Sequence, residues 1–457
     1  MDRRSLSTAA RLALVALVPL ATACSDGGGD DEGTTSGATA SSTTTGSTAG
    51  TTASSETDPT ATSATAGTSA STTTASTTTA STTGPTTTDT SASTTEPTTT
   101  TEPTTTTEPT TTTDPSSTTD TTTGGDDGTL CASQSEGLFF PPDAWFYQDA
   151  TKMQVTGDSQ AITQWMMGAS PPNGWGTGNM RIDFSIAMVD AAQGTPKRSY
   201  MIEQDYYYVP DCDLAPVPVP EGGFVEDYPQ DPVDPNMPFS GYECSGFGDG
   251  ADCHIIVVSR SEGRLYEIYH STIDGGDDFY GGCLALWDTS TTPTNDGRGQ
   301  QCTSADAAGF PIAPLLFTAD EVMAGEINHA IRFILPNSMI RAKKYVAPAT
   351  HGTNTSGPMS SIPYGGHMRL RADYPIQNLK PAAQVVAKAM QKYGIFMADG
   401  GNIALTAASD ATGCAKWEDV DLGPQDLSML KATDFEVIDH GATMDVTYDC
   451  TRMQIIE

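Results

Sequence analysis

The chain has 457 residues, a formal net charge of −35 at pH 7 and only 37% hydrophobic residues. A chain this acidic repels phosphate groups, which excludes nucleic acid as a partner and disfavours direct binding to anionic lipid. The low hydrophobic share comes from about the first 127 residues, and the residues after them are numerous enough to bury a large core.

Positive charges precede a short apolar run near the first residue. Three arginines come before residues 12–21, a run too short to span a bilayer and typical of a secretory signal peptide. Residues 20–24 (LATAC) resemble a bacterial lipobox whose leucine lies one place further upstream than usual. We therefore expect residues 1–23 to be a lipoprotein signal peptide and Cys24 to be acylated. The alternative is an ordinary signal peptide cleaved near Ala23.

Residues 24–127 are predicted to form a disordered stalk. After a Gly/Asp-rich start they are nearly all Thr, Ser, Ala, Gly and Pro, and an acidic–proline pair recurs every six residues from Glu96 to Asp114. Without apolar side chains to bury, nothing offsets the entropy cost of ordering such a segment. Because Ser25 rather than Asp follows Cys24, we expect the anchor to lie in an outer membrane, facing the periplasm or the cell exterior.

Cysteine usage agrees with export. Eight of the nine cysteines lie beyond residue 128, and no C-x-x-C motif occurs, so four disulfides are expected rather than free thiols or a metal knuckle. Proximity favours the pairs Cys244–Cys253 and Cys283–Cys302, and Cys450 is expected to pin the residues around it, through Cys414 for example. The eight candidates are Cys131, Cys212, Cys244, Cys253, Cys283, Cys302, Cys414 and Cys450.

Residues 128–457 are predicted to be one β-rich ectodomain. Alternating or short continuous apolar runs predict strands, which are residues 181–189, 253–260, 264–270, 329–335, 342–348, 367–374 and 434–439, with a further aromatic-rich stretch at 197–209. A capping box at Thr318 and Glu321 predicts a helix over 319–328, and Pro381 with Gly394 predicts another over 381–393. A weaker helix is predicted over 424–430. This pattern is typical of a sandwich or jelly roll with a few helices.

Several blocks between about residues 254 and 439 resemble a family of secreted bacterial domains of unassigned activity. The blocks include HIIVVSRSEGRLYEIYH, TSADAAGFPIAPLLFTADEV, HAIRFILP, YVAPATH, MRLRADYPI and KAMQKYGIFMADGG, in this order. The resemblance implies a single secreted β-rich unit. It implies no catalytic mechanism, so the chemistry must be argued from the residues.

The predicted strand at 367–374 concentrates polar side chains. Period-two alternation puts His367, Arg369 and Arg371 on one face together with Asp373. Two neighbouring arginines can bind carboxylate, phosphate or sugar hydroxyls bidentately. The alternative is a solvated face whose arginines pair with nearby acids.

Two carboxylates are candidates for acid–base catalysis. Glu267 lies between large apolar residues, where desolvation raises a carboxyl pKa as a general acid requires. Asp399 in the ADGG turn is a possible second carboxylate, and Asp306 is another. Glycoside hydrolysis needs such a pair at a defined spacing. Each acid has a structural alternative as a turn or ion-pair residue.

Three further features complete the candidate site. His351 lies in a polar loop, and Trp287 is an aromatic residue that could stack on a sugar ring or lie in the core. Acidic loops around Asp249 and Asp252 and at 274–278 leave a bound calcium ion possible, although neither matches an EF-hand and no cofactor is required.

Together these features predict a lipid-anchored surface protein whose ectodomain binds, and possibly cleaves, extracellular carbohydrate. The cleft is expected to be lined by Glu267, Arg369, Arg371 and Asp399. The alternative from another class is a non-catalytic lipoprotein for adhesion or envelope structure.

Overall fold

A computed structural model describes residues 139–226, 236–249, 251–275 and 278–457. The predicted signal peptide, Cys24, the predicted stalk and Cys131 lie outside the described residues. The described ranges form helices α1 (Ser159–Ala169), α2 (Ala319–Ala324) and α3 (Pro381–Lys392). Their short 3-10 helices are Trp145–Tyr147, Ser240–Tyr242, Phe247–Asp249, Ala313–Leu315, Asn337–Met339, Ile376–Asn378, Asp410–Thr412 and Ala432–Asp434.

Strands dominate the described part of the chain, which confirms the mainly β prediction. The strands are β1 (Ile182–Ile186), β2 (Met188–Asp190), β3 (Lys197–Arg198), β4 (Met201–Ile202), β5 (Val217–Pro218), β6 (Ile255–Ser259), β7 (Arg264–Ile273), β8 (Phe279–Asp288), β9 (Ile331–Leu335), β10 (Ile340–Tyr345), β11 (Ile362–Tyr364), β12 (His367–Leu370), β13 (Ile395–Gly400), β14 (Leu405–Ala408), β15 (Phe435–Val437) and β16 (Met444–Asp445).

Two mixed sheets form a sandwich. One sheet has the order β1-β14-β9-β13-β12-β15 and the other β2-β6-β7-β8-β4, and smaller sheets are β11-β10-β16 and β3-β5. The main core joins Phe333 and Leu405 of the first sheet to Leu265 and Ala285 of the second. A second core lies on the opposite face of β6, β7 and β8, with Tyr266 among its residues. The second large sheet is therefore apolar on both faces.

The local signals in the sequence account for the elements that were predicted best. Ile255–Ser259 is buried throughout, and it pairs antiparallel with β7 across the expected turn. The capping box of Thr318 and Glu321 is present at the start of α2. Gly394 follows α3 with a φ of +79°, and a Cβ there would lie 2.4 Å from His367 Nε2. Glycine is required at that position for both reasons.

Several elements differ from the prediction. Residues 424–430 form turns rather than a helix, while α1 and the ten-residue strand β8 were not predicted. β12 ends at Leu370, so Arg371 and Asp373 lie beyond the strand. All four residues of β12 are buried, because α3 packs against it and the sandwich core lies behind it. The alternation itself holds, since Met368 and Leu370 lie in the main core and His367 and Arg369 do not, but the polar face is covered rather than open to a ligand.

The disulfides follow the predicted framework only in part. Cys244–Cys253 is present as predicted. Cys283 bonds Cys212 rather than Cys302, and Cys302 bonds Cys450, which excludes a bond from Cys450 to Cys414. Sequence proximity misled because Cys212 and Cys450 approach their partners only through tertiary contacts. Cys414 is also disulfide-bonded.

Candidate functional site

Glu267 is enclosed between the two large sheets. Its side chain has no exposed surface, and its carboxylate accepts hydrogen bonds from the backbone N–H groups of Ile312 (2.7 Å) and Ala313 (2.8 Å) and from Trp287 Nε1 (3.0 Å). Burial raises the pKa of Glu267 to about 7, and these three hydrogen bonds oppose the rise. Trp287 is buried as well, so its indole holds Glu267 rather than a ligand.

His367 and Arg369 are also part of the interior. The His367 ring stacks on Phe396 with centroids 4.0 Å apart, and its Nε2 lies 2.8 Å from Tyr393 O. Burial lowers the pKa of His367 to about 4, so the ring is neutral at pH 7. Arg369 is ion-paired with Glu436. Neither side chain is open to a ligand.

Arg371 is exposed and forms an ion pair of 2.7 Å with its neighbour Asp373. The register of β12 against β13 sets Met368 opposite Ile395, which puts Arg369 level with Gly394. At the usual rise per residue, this is about 17 Å along the strand from Asp399. The interpretation that Glu267, Arg369, Arg371 and Asp399 line one cleft is therefore corrected, because Glu267 and Arg369 are buried and the strand register separates Arg369 from Asp399.

Asp399 instead belongs to a cluster of charged groups, which we call the Asp399 centre. It consists of Asp399 on β13, Arg332 on the neighbouring strand β9, Asp306 in the loop between β8 and α2, and the pair His254 and Glu226. Arg332 Nη2 lies 2.9 Å from Asp306 Oδ1 and 3.8 Å from Asp399 Oδ2. Arg332 Nη1 donates to Thr406 Oγ1 at 3.0 Å. One guanidinium group therefore faces two carboxyl groups.

Asp306 is the buried member of this carboxyl pair. Its side chain has no exposed surface, and its Oδ2 accepts no hydrogen bond from an N–H group of the described residues. Burial raises the pKa of Asp306 well above its usual value; Arg332 opposes the rise, whereas the charge of Asp399 and a hydrogen bond between the two carboxyl groups add to it. The raised pKa favours the protonated form of Asp306 beside Asp399.

Asp399 is the member of the pair that faces solvent. Its side chain is 29% exposed. Its Oδ1 accepts from Gly400 N at 2.6 Å and its Oδ2 from Ala307 N at 3.3 Å. A β-bulge between Met397 and Asp399 interrupts the pairing with β9 immediately before this residue. β13 is an interior strand of this sheet, so the bulge changes the direction of the Asp399 side chain near the end of the strand and not at a sheet edge.

A second ion pair lies beside Arg332. His254 Nδ1 is 2.6 Å from Glu226 Oε2, and His254 Nε2 is 3.1 Å from Ala305 O. Burial alone would lower the pKa of His254, but the charge and hydrogen bond of Glu226 outweigh it and raise the pKa to about 9. The two cations His254 and Arg332 thus balance the negative charges of the carboxylates of Glu226 and Asp399. A charged Asp306 would add a third negative charge that no cation of this group balances.

His351 is the predicted binding residue that the structure does bring to this centre. Its Nδ1 lies 2.9 Å from Ala307 O, and the N–H of the same residue, Ala307, donates to Asp399. Burial lowers the pKa of His351, so its ring is neutral at pH 7. Asp252 also borders the centre: burial raises its pKa, and the charges of Glu226 and Asp399 raise it further.

Sequence reasoning missed Arg332, His254 and Glu226, and it treated Asp306 and Asp399 as separate loop acids. One signal was present. Arg332 interrupts the apolar run Ile331–Leu335, and a buried charged residue requires a partner. For metals, the residues that the structure describes contain no group of three or more His, Cys, Asp or Glu side chains that could hold an ion.

Comparisons with known proteins add no assignment. The chain matches no family model, no curated protein and no solved structure. Within the described ranges, every helix is too short or too polar to cross a membrane. The site is therefore argued from its geometry alone.

Proposed function

We propose that this protein is a lipid-anchored surface protein whose ectodomain binds extracellular carbohydrate at the Asp399 centre. The observation that carries the proposal is the solvent-facing carboxylate of Asp399, held by backbone N–H groups and backed by the buried Asp306, whose pKa is raised well above its usual value. A fixed carboxylate accepts hydrogen bonds from sugar hydroxyls without any need for a charged ligand.

The charge of the chain narrows the ligand class. A net charge of −35 repels phosphorylated and other anionic ligands, whereas a neutral polyol meets no such barrier. Half-buried Tyr269 lies beside His254 with ring centroids 5.6 Å apart, which adds an aromatic surface at the same place. A few polar groups among aromatic rings are typical of small-molecule sites.

In its stronger form, the proposal is that the ectodomain also cleaves the carbohydrate that it binds. Glycosidases hold two carboxyl groups about 5–5.5 Å or about 6.5–9.5 Å apart. Asp306 and Asp399 lie 2.9 and 3.8 Å from the same Arg332 Nη2, so we take them as one acid–base unit rather than as two opposed groups. We propose Asp252, two residues before His254 of the centre, as the opposing carboxylate.

The same close spacing favours a second candidate, an adhesion or envelope lipoprotein that binds carbohydrate without turnover. One experiment distinguishes the cleaving protein from the adhesion protein. The protein is incubated with the glycans that it binds, and the products are separated by chromatography. Shorter oligosaccharides that appear with the native protein, and not with Asp252→Asn, support cleavage. Intact glycans support the adhesion protein.

The binding test compares Asp399→Asn with the native full-length protein on a glycan array. Loss of the carboxylate is expected to weaken binding at least roughly tenfold, about 1.4 kcal/mol. Asp373→Asn is the matched control, because Asp373 is an exposed carboxylate paired with Arg371 at a distance from the centre. Equal binding by Asp399→Asn and native protein would overturn the proposal.

The anchor is tested separately. Two or more acyl chains on Cys24 would hold the protein stably on a membrane, whereas one chain binds only marginally. Cys24→Ala is expected to move the protein from the membrane fraction to the soluble fraction. Unchanged partitioning would exclude acylation at this residue.

A further inference from the structure

Three rings are stacked on the outer side of β7 and β8. His270 lies parallel to Tyr206, with centroids 3.7 Å apart, and to Phe247 on its other side, with centroids 4.5 Å apart. We call Tyr206, His270 and Phe247 the aromatic stack. Tyr280 lies next to Phe247, with centroids 5.9 Å apart. Phe247 also packs against the second core, but the proposed binding at Asp399 uses none of the three rings of the stack.

The backbone is shaped to hold the aromatic stack. A Cβ on Gly282 would lie 2.8 Å from the Cβ of Tyr206 and 3.0 Å from that of His270, so only glycine leaves room for the rings. His270 has a φ of +50°, a left-handed conformation that side-chain-bearing residues seldom adopt. Strained residues of this kind cluster at functional sites.

The two outer rings of the stack are partly exposed, whereas His270 between them is only 3% exposed. Tyr206 and Phe247 are only half-buried, and the adjoining Tyr208 is 52% exposed. By contrast, rings such as Trp175 and Phe333 are fully buried in the core. Exposed aromatic rings beside a polar centre are available for a ligand.

Tyr269 connects the aromatic stack to the Asp399 centre. Its ring makes an edge-on contact with Tyr206, with centroids 6.0 Å apart, and its other neighbour is His254 of the centre. The pKa of Tyr269 is raised mainly by burial, and the charges of both Asp252 and Asp399 raise it further. The surface that these ring contacts define runs from His254 of the centre across Tyr269 to Tyr206, and the exposed Tyr208 follows two residues later in the chain.

We infer that this surface is an extended subsite that stacks a second sugar ring, so that the ligand is an oligo- or polysaccharide chain rather than a single sugar. The inference rests on the proposed function, because Asp399 is taken to hold the first sugar unit. The apolar face of a pyranose ring packs against a flat aromatic ring, and the hydroxyls at its rim stay in water.

The experiment measures dissociation constants of the full-length protein for cello-, xylo- and manno-oligosaccharide ladders of one to six units. Native protein is expected to gain affinity roughly tenfold as the chain lengthens from one unit to several. Tyr206→Ala and Tyr208→Ala are each expected to lose most of that gain and to bind the shortest ligand like native protein. Tyr374→Ala, a half-buried tyrosine at the far end of the first sheet, is the matched control.

The outcomes separate the inference from the function beneath it. If Asp399→Asn loses binding at every length while both tyrosine variants keep the full gain, the subsite is overturned and the binding site stands. If Asp399→Asn binds like native protein, or native protein binds none of the ladders, both are overturned. Tyr208 is mostly solvent-facing, so its variant decides the question even if Tyr206→Ala does not fold.

Discussion

Asp213 and Asp306 are both fully buried and both bonded to arginine, but their surroundings differ. Asp213 accepts from Arg298 Nη2 and Arg452 Nη1, each at 2.6 Å, and from the backbone N–H groups of Leu286 and Ile455. Asp306 has one arginine partner and one oxygen that faces another carboxyl group.

This difference separates a structural charge cluster from a chemical one. Four donors saturate the Asp213 carboxylate, and no part of it is open to a ligand or a proton. Asp306 and Asp399 share one guanidinium group, the raised pKa of Asp306 favours its protonated form, and Asp399 reaches solvent. An arginine in contact with an aspartate thus indicates function only where the carboxyl oxygens outnumber the hydrogen-bond donors around them.

The largest expected effect comes from the disulfide Cys302–Cys450. Cys450 lies two residues before Arg452, which is one of the partners of Asp213. The disulfide closes a loop of 148 residues, so replacing both cysteines by alanine is expected to cost about 5 kcal/mol in the free energy of unfolding. Chemical denaturation of the full chain measures this. Removing Cys244–Cys253, which spans nine residues, is the control and should cost about 2.5 kcal/mol. Equal losses would contradict the loop-length argument.

Asp213→Asn tests the structural cluster directly. The change leaves two buried arginines without their carboxylate, and we expect a loss of about 3–5 kcal/mol in stability. Folded molecules should bind glycans as native protein does, because the Asp399 centre is untouched. Unfolding monitored by tryptophan fluorescence, with binding measured on the folded fraction, checks both statements.

Glu267 extends the comparison of Asp213 with Asp306 to a third buried carboxyl group. It accepts three hydrogen bonds, and its partners do not include an arginine. Its folded pKa of about 7 lies above the ordinary 4.5, so its protonated form stabilises the fold. This contribution to the free energy of unfolding is complete below about pH 4.5 and is lost as the pH rises through 7. The free energy of unfolding is expected to fall by about 3 kcal/mol over this range.

Glu267→Gln removes this titration. The stability difference between native protein and the variant is therefore expected to shrink as pH rises from 4.5 to 7.5, measured by urea denaturation at several pH values. The difference isolates Glu267 from other groups, including His367, whose lowered pKa acts in the opposite direction. A difference that does not depend on pH would show that Glu267 keeps the same charge throughout.

The smallest expected effect is that of Asp306→Asn on stability. The amide oxygen can still accept from Arg332 and the amide N–H can donate to Asp399, as a protonated Asp306 would. We expect a change within about 1 kcal/mol, in contrast to Asp213→Asn, while any cleavage activity is lost with the proton. A loss as large as that of Asp213→Asn would mean that Asp306 is charged in the folded protein.

Local patterns in the sequence carried much of the fold. The apolar run before the turn at 261–263 specifies the β6–β7 hairpin, and Pro381 with Gly394 delimits α3. The site was less accessible because Asp306, Arg332 and Asp399 come from three segments. Alternation at β12 did not report exposure, because both faces of the strand are covered.

The Asp213 cluster also constrains the order in which the protein is built. Ile455 donates to Asp213 across 242 positions of sequence, whereas Asp306 and Arg332 are only 26 apart. A chain that emerges with its N-terminus first can assemble the chemistry around Arg332 while Asp213 still lacks two of its donors. The Asp213 cluster is therefore completed late in folding. A nascent polypeptide that ends before residue 450 would carry a partly assembled ligand site in a fold that this cluster does not yet stabilise.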